Sequence, residues 1–175
     1  HGLNAPGEAL YCGNSGTTMR LMAGILAGQS FSSCLTGDES LEKRPMKRVC
    51  LPLEKMGAKI KMQGEKGTAP LEISGSPLNG ICYESPVASA QVKSSVLLAG
   101  LYAKGKTSLI EPSLSRDHTE RLLRAMGVEC STRSLEDGRV EISLEGGQEL
   151  KALPGEYFVP GDISSAAYFM ASVFF

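Results

Sequence analysis

The sequence predicts an α/β (α+β) protein made of repeated β-α-β-α-β-β units, with helices inside and sheets outside. Three observations carry that expectation. The order of elements over residues 10–74 recurs over 81–144, displaced by about 70 to 77 residues, and Met56 with Gly57 and Met126 with Gly127 close equivalent helices. A period that long marks a duplicated supersecondary unit rather than a solenoid. The helix-like runs 19–27, 92–103 and 166–175 are apolar nearly all round and rich in Ala, Gly and Ser, and a helix without a polar face is buried. The strands carry polar residues at alternate positions, which leaves one sheet face wet.

Composition narrows the class. A chain of 175 residues fits one domain or a fused pair of small ones and is long enough to bury a core. Hydrophobic residues at 42% and charged residues at 21% are ordinary for a soluble globular protein, and a net charge of −1 points to neither a nucleic acid nor a membrane surface. There is no uninterrupted apolar run of spanning length and no secretory signal at the start. The five cysteines (12, 34, 50, 82 and 130) are an odd number without a C-x-x-C pair. They suit reduced thiols in a cytoplasmic setting better than a disulfide frame or a zinc site. With His1 and His118 the only histidines, a histidine-rich metal site is not expected. The chain opens in a loop-like H-G-L-N-A-P-G and stops inside an apolar helix, so a piece of a longer protein is expected.

In chain order, a short strand at 9–11 meets the turn C-G-N-S-G-T-T-M-R (12–20), which opens a helix over about 16–27. Asn14 and Ser15 are good caps for it, Thr17 and Thr18 add hydroxyls to its first turn, and Arg20 lies one turn in. A strand at 31–35 and a helix over about 44–56 follow, with Pro45 in the first helical turn and Gly57 as the stop. Strands are expected at 58–62 and, after the turn-forming 64–70, at 71–74. The second unit reads as a strand at 81–84, a helix at 89–103, a strand at 108–111, a helix at 117–126 and a hairpin of 128–133 with 139–144 around Asp137 and Gly138. A third copy is expected to begin with a strand at 157–159, turn at Pro160, Gly161 and Asp162, and enter a helix at 164–175. Residues 1–160 are thus two units, and 161–175 the start of the next segment.

The first helices of the three units begin N-S-G-T-T, A-S-A-Q and D-I-S-S-A. If buried helices run side by side, these starts converge and present unpaired N–H groups, a positive dipole end and small hydroxyls to one ligand bearing phosphate or carboxylate groups. Two further segments add charge. In T-G-D-E-S-L-E-K-R-P (36–45), Arg44 sits where the chain enters a helix. In S-R-D-H-T-E (115–120), Ser115 or Asp117 reads as a cap supported by Glu120, which leaves Arg116 and His118 unexplained by capping.

Together these motifs resemble the family of 3-phosphoshikimate 1-carboxyvinyltransferases, the enolpyruvyl-shikimate-phosphate synthases. The matching segments are G-N-S-G-T-T-M-R (13–20), L-T-G-D-E-S-L-E-K-R-P-M (35–46), S-A-Q-V-K-S (89–94), S-R-D-H-T-E (115–120) and G-D-I-S-S-A-A-Y-F (161–169). Their wording is similar to the bacterial form called class II. UDP-N-acetylglucosamine enolpyruvyl transferases share the fold but lack R-P-M and S-R-D-H-T-E in these places. The resemblance implies one lobe of a two-lobed enzyme, each lobe holding three β-α-β-α-β-β units. Such enzymes move the enolpyruvyl group of phosphoenolpyruvate to the 5-hydroxyl of shikimate 3-phosphate through a tetrahedral intermediate, with no cofactor and no metal.

By that resemblance Ser89, Ala90, Gln91, Ser115 and Arg116 contact shikimate 3-phosphate, and Asn14, Gly16, Arg44 and Gln91 hold phosphoenolpyruvate. Gly16 is where the family meets glyphosate, and glycine there implies sensitivity. The roles of Arg20, Asp162 and His118 stay open. The family's Lys-Ser-Arg segment near the N-terminus is absent here, and so are the acid–base aspartate, glutamate and lysine of the other lobe. The catalytic residues are therefore expected outside this chain, the missing lobe is its expected partner, and the chain alone is expected to be inactive. The alternative is an isolated binding or structural domain.

Overall fold

The computed structural model describes residues 2–153 and, beyond them, Gly155, Glu156, Phe158, Val159, Gly161, Asp162, Ala166, Ala167, Met170 and Ala171. The elements are β1 (Leu10–Tyr11), α1 (Gly16–Ala27), β2 (Ser32–Thr36), α2 (Glu39–Glu42), α3 (Lys47–Lys55), β3 (Lys59–Gly64), β4 (Thr68–Ser74), β5 (Leu78–Asn79), β6 (Cys82–Glu84), α4 (Ala90–Gly100), β7 (Ala103–Lys104), β8 (Lys106–Glu111), α5 (His118–Ala125), β9 (Cys130–Ser134) and β10 (Val140–Glu145).

The duplication is visible in the sheets. One runs β1-β2-β4-β3 and the other β6-β8-β10-β9. In both, the first pair is parallel and the other two pairs are antiparallel. The short parallel pair β5–β7 stitches the units together. In the first sheet the exposed residues Lys59, Lys61, Glu72 and Ser74 alternate with inward Leu71 and Ile73. The second sheet departs from a wet outer face: Val140 to Leu144 are all buried. There Glu141 pairs with Arg133 and Ser143 bonds Ser131, so neighbouring strands cover the polar side chains of the central one.

Helix α4 explains its own lack of a polar face. Its Val92, Val96 and Ala99 belong to one core with Met19, Ala23, Leu35 and Ile73, while Leu97 and Leu101 join a second core with Leu123, Ile142 and Leu144. Each fully buried Val, Leu, Ile or Met among these stabilises by about 1.5–3 kcal/mol. Between α1 and α4 the small residues act as expected: a Cβ on Gly24 would lie 2.2 Å from the Ser95 carbonyl oxygen.

Three local expectations need correction. Pro45 is not in a helical turn: it pairs with Thr68 ahead of α3, whose cap position is Met46. The separate helix α2 precedes it, capped by Asp38, which accepts from the Leu41 N–H at 2.8 Å. Residues 68–70 extend β4 rather than forming a turn. At α5 the capping box does not form, because the Asp117 carboxylate accepts from Arg121 at 2.8 Å and Glu120 is buried. The third repeat falls largely outside the described residues, among which Ala166, Ala167, Met170 and Ala171 are helical and Phe158 and Val159 are not in a strand. Among the described residues, no helix is long and apolar enough to cross a membrane.

Two outcomes follow from this packing. Gly24→Ala gains about 1 kcal/mol of helix propensity but forces α1 off the α4 backbone, and the steric cost wins. Urea denaturation is expected to show a net loss of about 1–3 kcal/mol at unchanged m. The Cys50 thiol is pushed up to about 12, chiefly by burial and secondly by the Glu54 carboxylate, whereas Cys82 is exposed. A neutral Cys50 thiol is a poor nucleophile, so a thiol reagent at pH 7 is expected to label Cys82 readily and Cys50 only after unfolding.

Candidate functional site

The starts of α1 and α4 lie side by side. Ser15 caps α1, its Oγ accepting from the Thr18 N–H at 3.1 Å, and Ser89 caps α4 by accepting from the Val92 N–H at 3.5 Å. Gln91, in the first turn of α4, ties the two ends together. Its Nε2 donates to Thr17 Oγ1 at 2.8 Å, and its Oε1 accepts from Arg20 at 2.8 Å and from Arg48 at 3.2 Å. A guanidinium donates only, so these contacts fix which way the amide faces. The start of the expected third helix, at Ser164 and Ser165, lies outside the described residues.

A second relay starts from a carboxylate. Asp38 accepts from Asn14 Nδ2 at 2.8 Å, which turns Asn14 Oδ1 toward Arg44, whose guanidinium donates to it at 2.5 Å. The Asn14 hydrogen bond first, and the Leu41 N–H second, hold the Asp38 carboxyl below its ordinary range. Arg44 therefore sits in the connection between α2 and α3, not inside a helical turn. Gly16 forms the floor beside it: an added Cβ would lie 2.9 Å from one Arg20 nitrogen and 3.4 Å from one of Arg44.

Arg20, left without a role by the sequence, is a buried wall of this site. It is 6% exposed, spans from Gln91 to the Pro45 carbonyl, and has an unpartnered Nε. Burial first, then the charges of Arg48 and Arg44, lower its proton affinity. None of the ion pairs between described residues uses Arg20, Arg44, Arg48 or Arg116. Clustered guanidiniums without a facing carboxylate attract an anion.

Two adjoining open cavities share Ala90, Gln91 and Arg116 as lining. One of about 450 Å³ is lined by Arg48, Ser89, Ala90, Gln91, Ser115 and Arg116. The other, of about 190 Å³, lies among Thr17, Gln91, Ser94, Arg116 and His118. Five expected contacts, Ser89, Ala90, Gln91, Ser115 and Arg116, thus line one cavity, while Asn14, Gly16 and Arg44 gather beyond Arg20. Ser115 Oγ donates to Glu111 at 2.8 Å, which commits its proton, whereas Ser89 Oγ accepts from its own helix and keeps its proton for a ligand. The Asp162 carbonyl accepts from the Ala166 N–H at 3.0 Å.

Sequence reasoning passed over Arg48, Lys93 and Glu111, and read Glu120 as a cap residue rather than as a member of a buried group. Arg48 lies in the first turn of α3, four residues after Arg44, which itself precedes that helix. A lysine in the otherwise apolar run 92–103 was the available sign of the buried group.

Comparison with known proteins agrees with this geometry. A sequence profile of the family described as EPSP synthase (3-phosphoshikimate 1-carboxyvinyltransferase) matches residues 1–174. The 3-phosphoshikimate 1-carboxyvinyltransferase of Pelobacter propionicus is 56% identical over 98% of this chain, which covers 38% of that relative. The Bacillus subtilis protein of the same name is 56% identical over 97% of the chain, which again covers 38% of it. A solved structure of EPSP synthase from Acinetobacter baumannii matches with a TM-score of 0.84 and 56% identity, over 97% of this chain and 37% of that one. The chain thus spans less than two-fifths of the length of the relatives it matches. On its fold and its sequence, this chain belongs to the EPSP synthase family.

Proposed function

We propose that this chain is the substrate-receiving lobe of a 3-phosphoshikimate 1-carboxyvinyltransferase. Its residues 1–160 are two of the repeated units, and its partner is the second lobe. The observation that carries the reading is the pair of helix starts joined through Gln91, beside Arg20, Arg44, Arg48 and Arg116, which enter none of the ion pairs found between described residues. Shikimate 3-phosphate places its phosphate at the start of α4, where Ser89, the Ala90 N–H and Gln91 meet Ser115 and Arg116. Phosphoenolpyruvate lies along α1 against Asn14, Gly16 and Arg44, with Gln91, which lines both cavities, touching both ligands.

In that pose the lobe binds and orients. The substrate's 5-hydroxyl oxygen adds to C2 of the enol as its C=C bond breaks and C3 takes a proton; the tetrahedral adduct then loses a C3 proton and expels inorganic phosphate, which restores the double bond, and the arginines stabilise the charge on the phosphoryl oxygens. Proton transfer belongs to groups of the second lobe, because positioning without an acid and a base does not complete the reaction. The reduced cysteines suit a cytoplasmic enzyme.

Titration calorimetry of shikimate 3-phosphate into the chain tests the reading. Arg116→Ala is expected to weaken binding about 10- to 100-fold, the worth of one charge-assisted hydrogen bond. Unchanged affinity overturns the assignment. Mixing the chain with both substrates is expected to release no phosphate.

Gly16→Ala tests the second pocket. The nearest atoms to the new methyl group are side-chain ends, those of Arg20 and Arg44, rather than backbone. The melting temperature is therefore expected to hold, while phosphoenolpyruvate and glyphosate binding fall at least several-fold as the guanidiniums move. Equal affinity for both in the variant and the parent removes Gly16 from the site.

A further inference from the structure

Beneath the larger cavity lies a group of charges that the proposed binding step does not use. Lys93 is 0% exposed, and its Nζ meets Glu120 Oε1 at 2.7 Å, the Ser115 carbonyl at 3.3 Å and Glu111 Oε2 at 3.4 Å. Glu111, also 0% exposed, ends β8. Its Oε1 accepts from the Ser89 N–H at 2.9 Å, and its Oε2 accepts from the Ser115 hydroxyl at 2.8 Å and the Ser115 N–H at 3.4 Å. Neither Glu120 oxygen receives a directed hydrogen bond, so its part is ionic contact with Lys93.

Charge does not explain this arrangement. Two carboxylates against one ammonium are a net negative unit beneath a pocket ringed by arginines, which opposes an anion there. Stability does not explain it either, since apolar residues of similar volume usually replace buried ion pairs at no loss. What the group does is geometric. One carboxylate grips the residue that caps α4 and the residue next to Arg116, which are the two walls of the 450 Å³ cavity.

We propose that Glu111 is a positioning residue for phosphate binding: its carboxylate, steadied by Lys93 and Glu120, sets the gap between Ser89 and the 112–117 connection that carries Ser115 and Arg116. The role rests on the reading of this cavity as a phosphate site. With the gap fixed, the free N–H groups at the start of α4 and the Arg116 guanidinium face one point. Without it, each side still folds but the two no longer converge.

The test separates fold from binding. Removing Lys93 alone strands two buried carboxylates and fails to fold. The informative pair is therefore K93M/E111L/E120L, which is wholly apolar, and K93M/E111Q/E120L, whose amide still accepts from the Ser89 N–H and bonds the Ser115 hydroxyl. Melting temperature and calorimetric Kd are measured for both, with shikimate 3-phosphate and with inorganic phosphate. Both variants are expected to melt at or above the parent. The apolar variant is expected to lose about tenfold or more in affinity, and the E111Q variant to stay within about threefold of the parent. Parent-like affinity in the apolar variant overturns the proposal, as does equal loss in both at equal stability. Should neither fold, Glu111→Asp decides, because it keeps the charge and shortens the reach by one methylene; an unchanged Kd there overturns the role. A parent that binds inorganic phosphate but not shikimate 3-phosphate defeats the substrate reading alone, and the variants are then compared on phosphate. A parent that binds neither defeats both.

Discussion

The contact between Gly24 of α1 and the Ser95 carbonyl of α4 governs the rest of this molecule. Because one helix has no side chain there, the two backbones touch, and the helices lie along each other from that crossing to their starts. Their first turns are then close enough for Gln91 to reach Thr17. A larger residue at the crossing would separate the starts, and the N–H groups and hydroxyls of the two first turns would no longer serve one pocket. Two sheets of identical strand order wrap this pair from outside. The duplicated chain thus contributes one helix from each copy to a single centre.

Around that centre the charges are sorted. Carboxylates near the pocket are engaged elsewhere: Asp38 by Asn14 and the α2 cap, Glu111 by Ser89, Ser115 and Lys93, and Asp117 by Arg121. The guanidiniums of Arg20, Arg44 and Arg48 bond neutral oxygens of Gln91, Asn14 and Pro45 instead. A neutral acceptor orients an arginine without cancelling its charge, so the positive field stays available to a bound anion. Burial first, and then the charges of Arg48 and Arg44, lower the proton affinity of Arg20 in this setting.

Duplication also shows how the two halves diverged. Each unit carries an arginine in the connection that leads to its last helix, Arg44 ahead of α3 and Arg116 ahead of α5. Arg44 is held through a surface relay of side-chain amide and carboxylate. The residue beside Arg116 is held from below by a buried carboxylate. Equivalent positions therefore present equivalent charges to neighbouring pockets by different means.

The sequence by itself determined the repeat, the burial of the first helices and the cap-rich starts. These rest on local pattern: 3.6-residue periodicity, glycine stops and cap residues act through near neighbours. The same local reading placed Pro45 in a helical turn and Glu120 in a capping box, because spacing along the chain suits those motifs. Only the tertiary structure decided otherwise. Thr68 of β4 pairs with Pro45, and Lys93 of α4 draws Glu120 inward; both partners are remote in sequence, and no local rule contains them. The setting of Arg20, the place of Arg48 and the grip of Glu111 on Ser89 and Ser115 were settled in the same way. Their energies depend on desolvation and on distances across elements, quantities that exist only once the helices have packed.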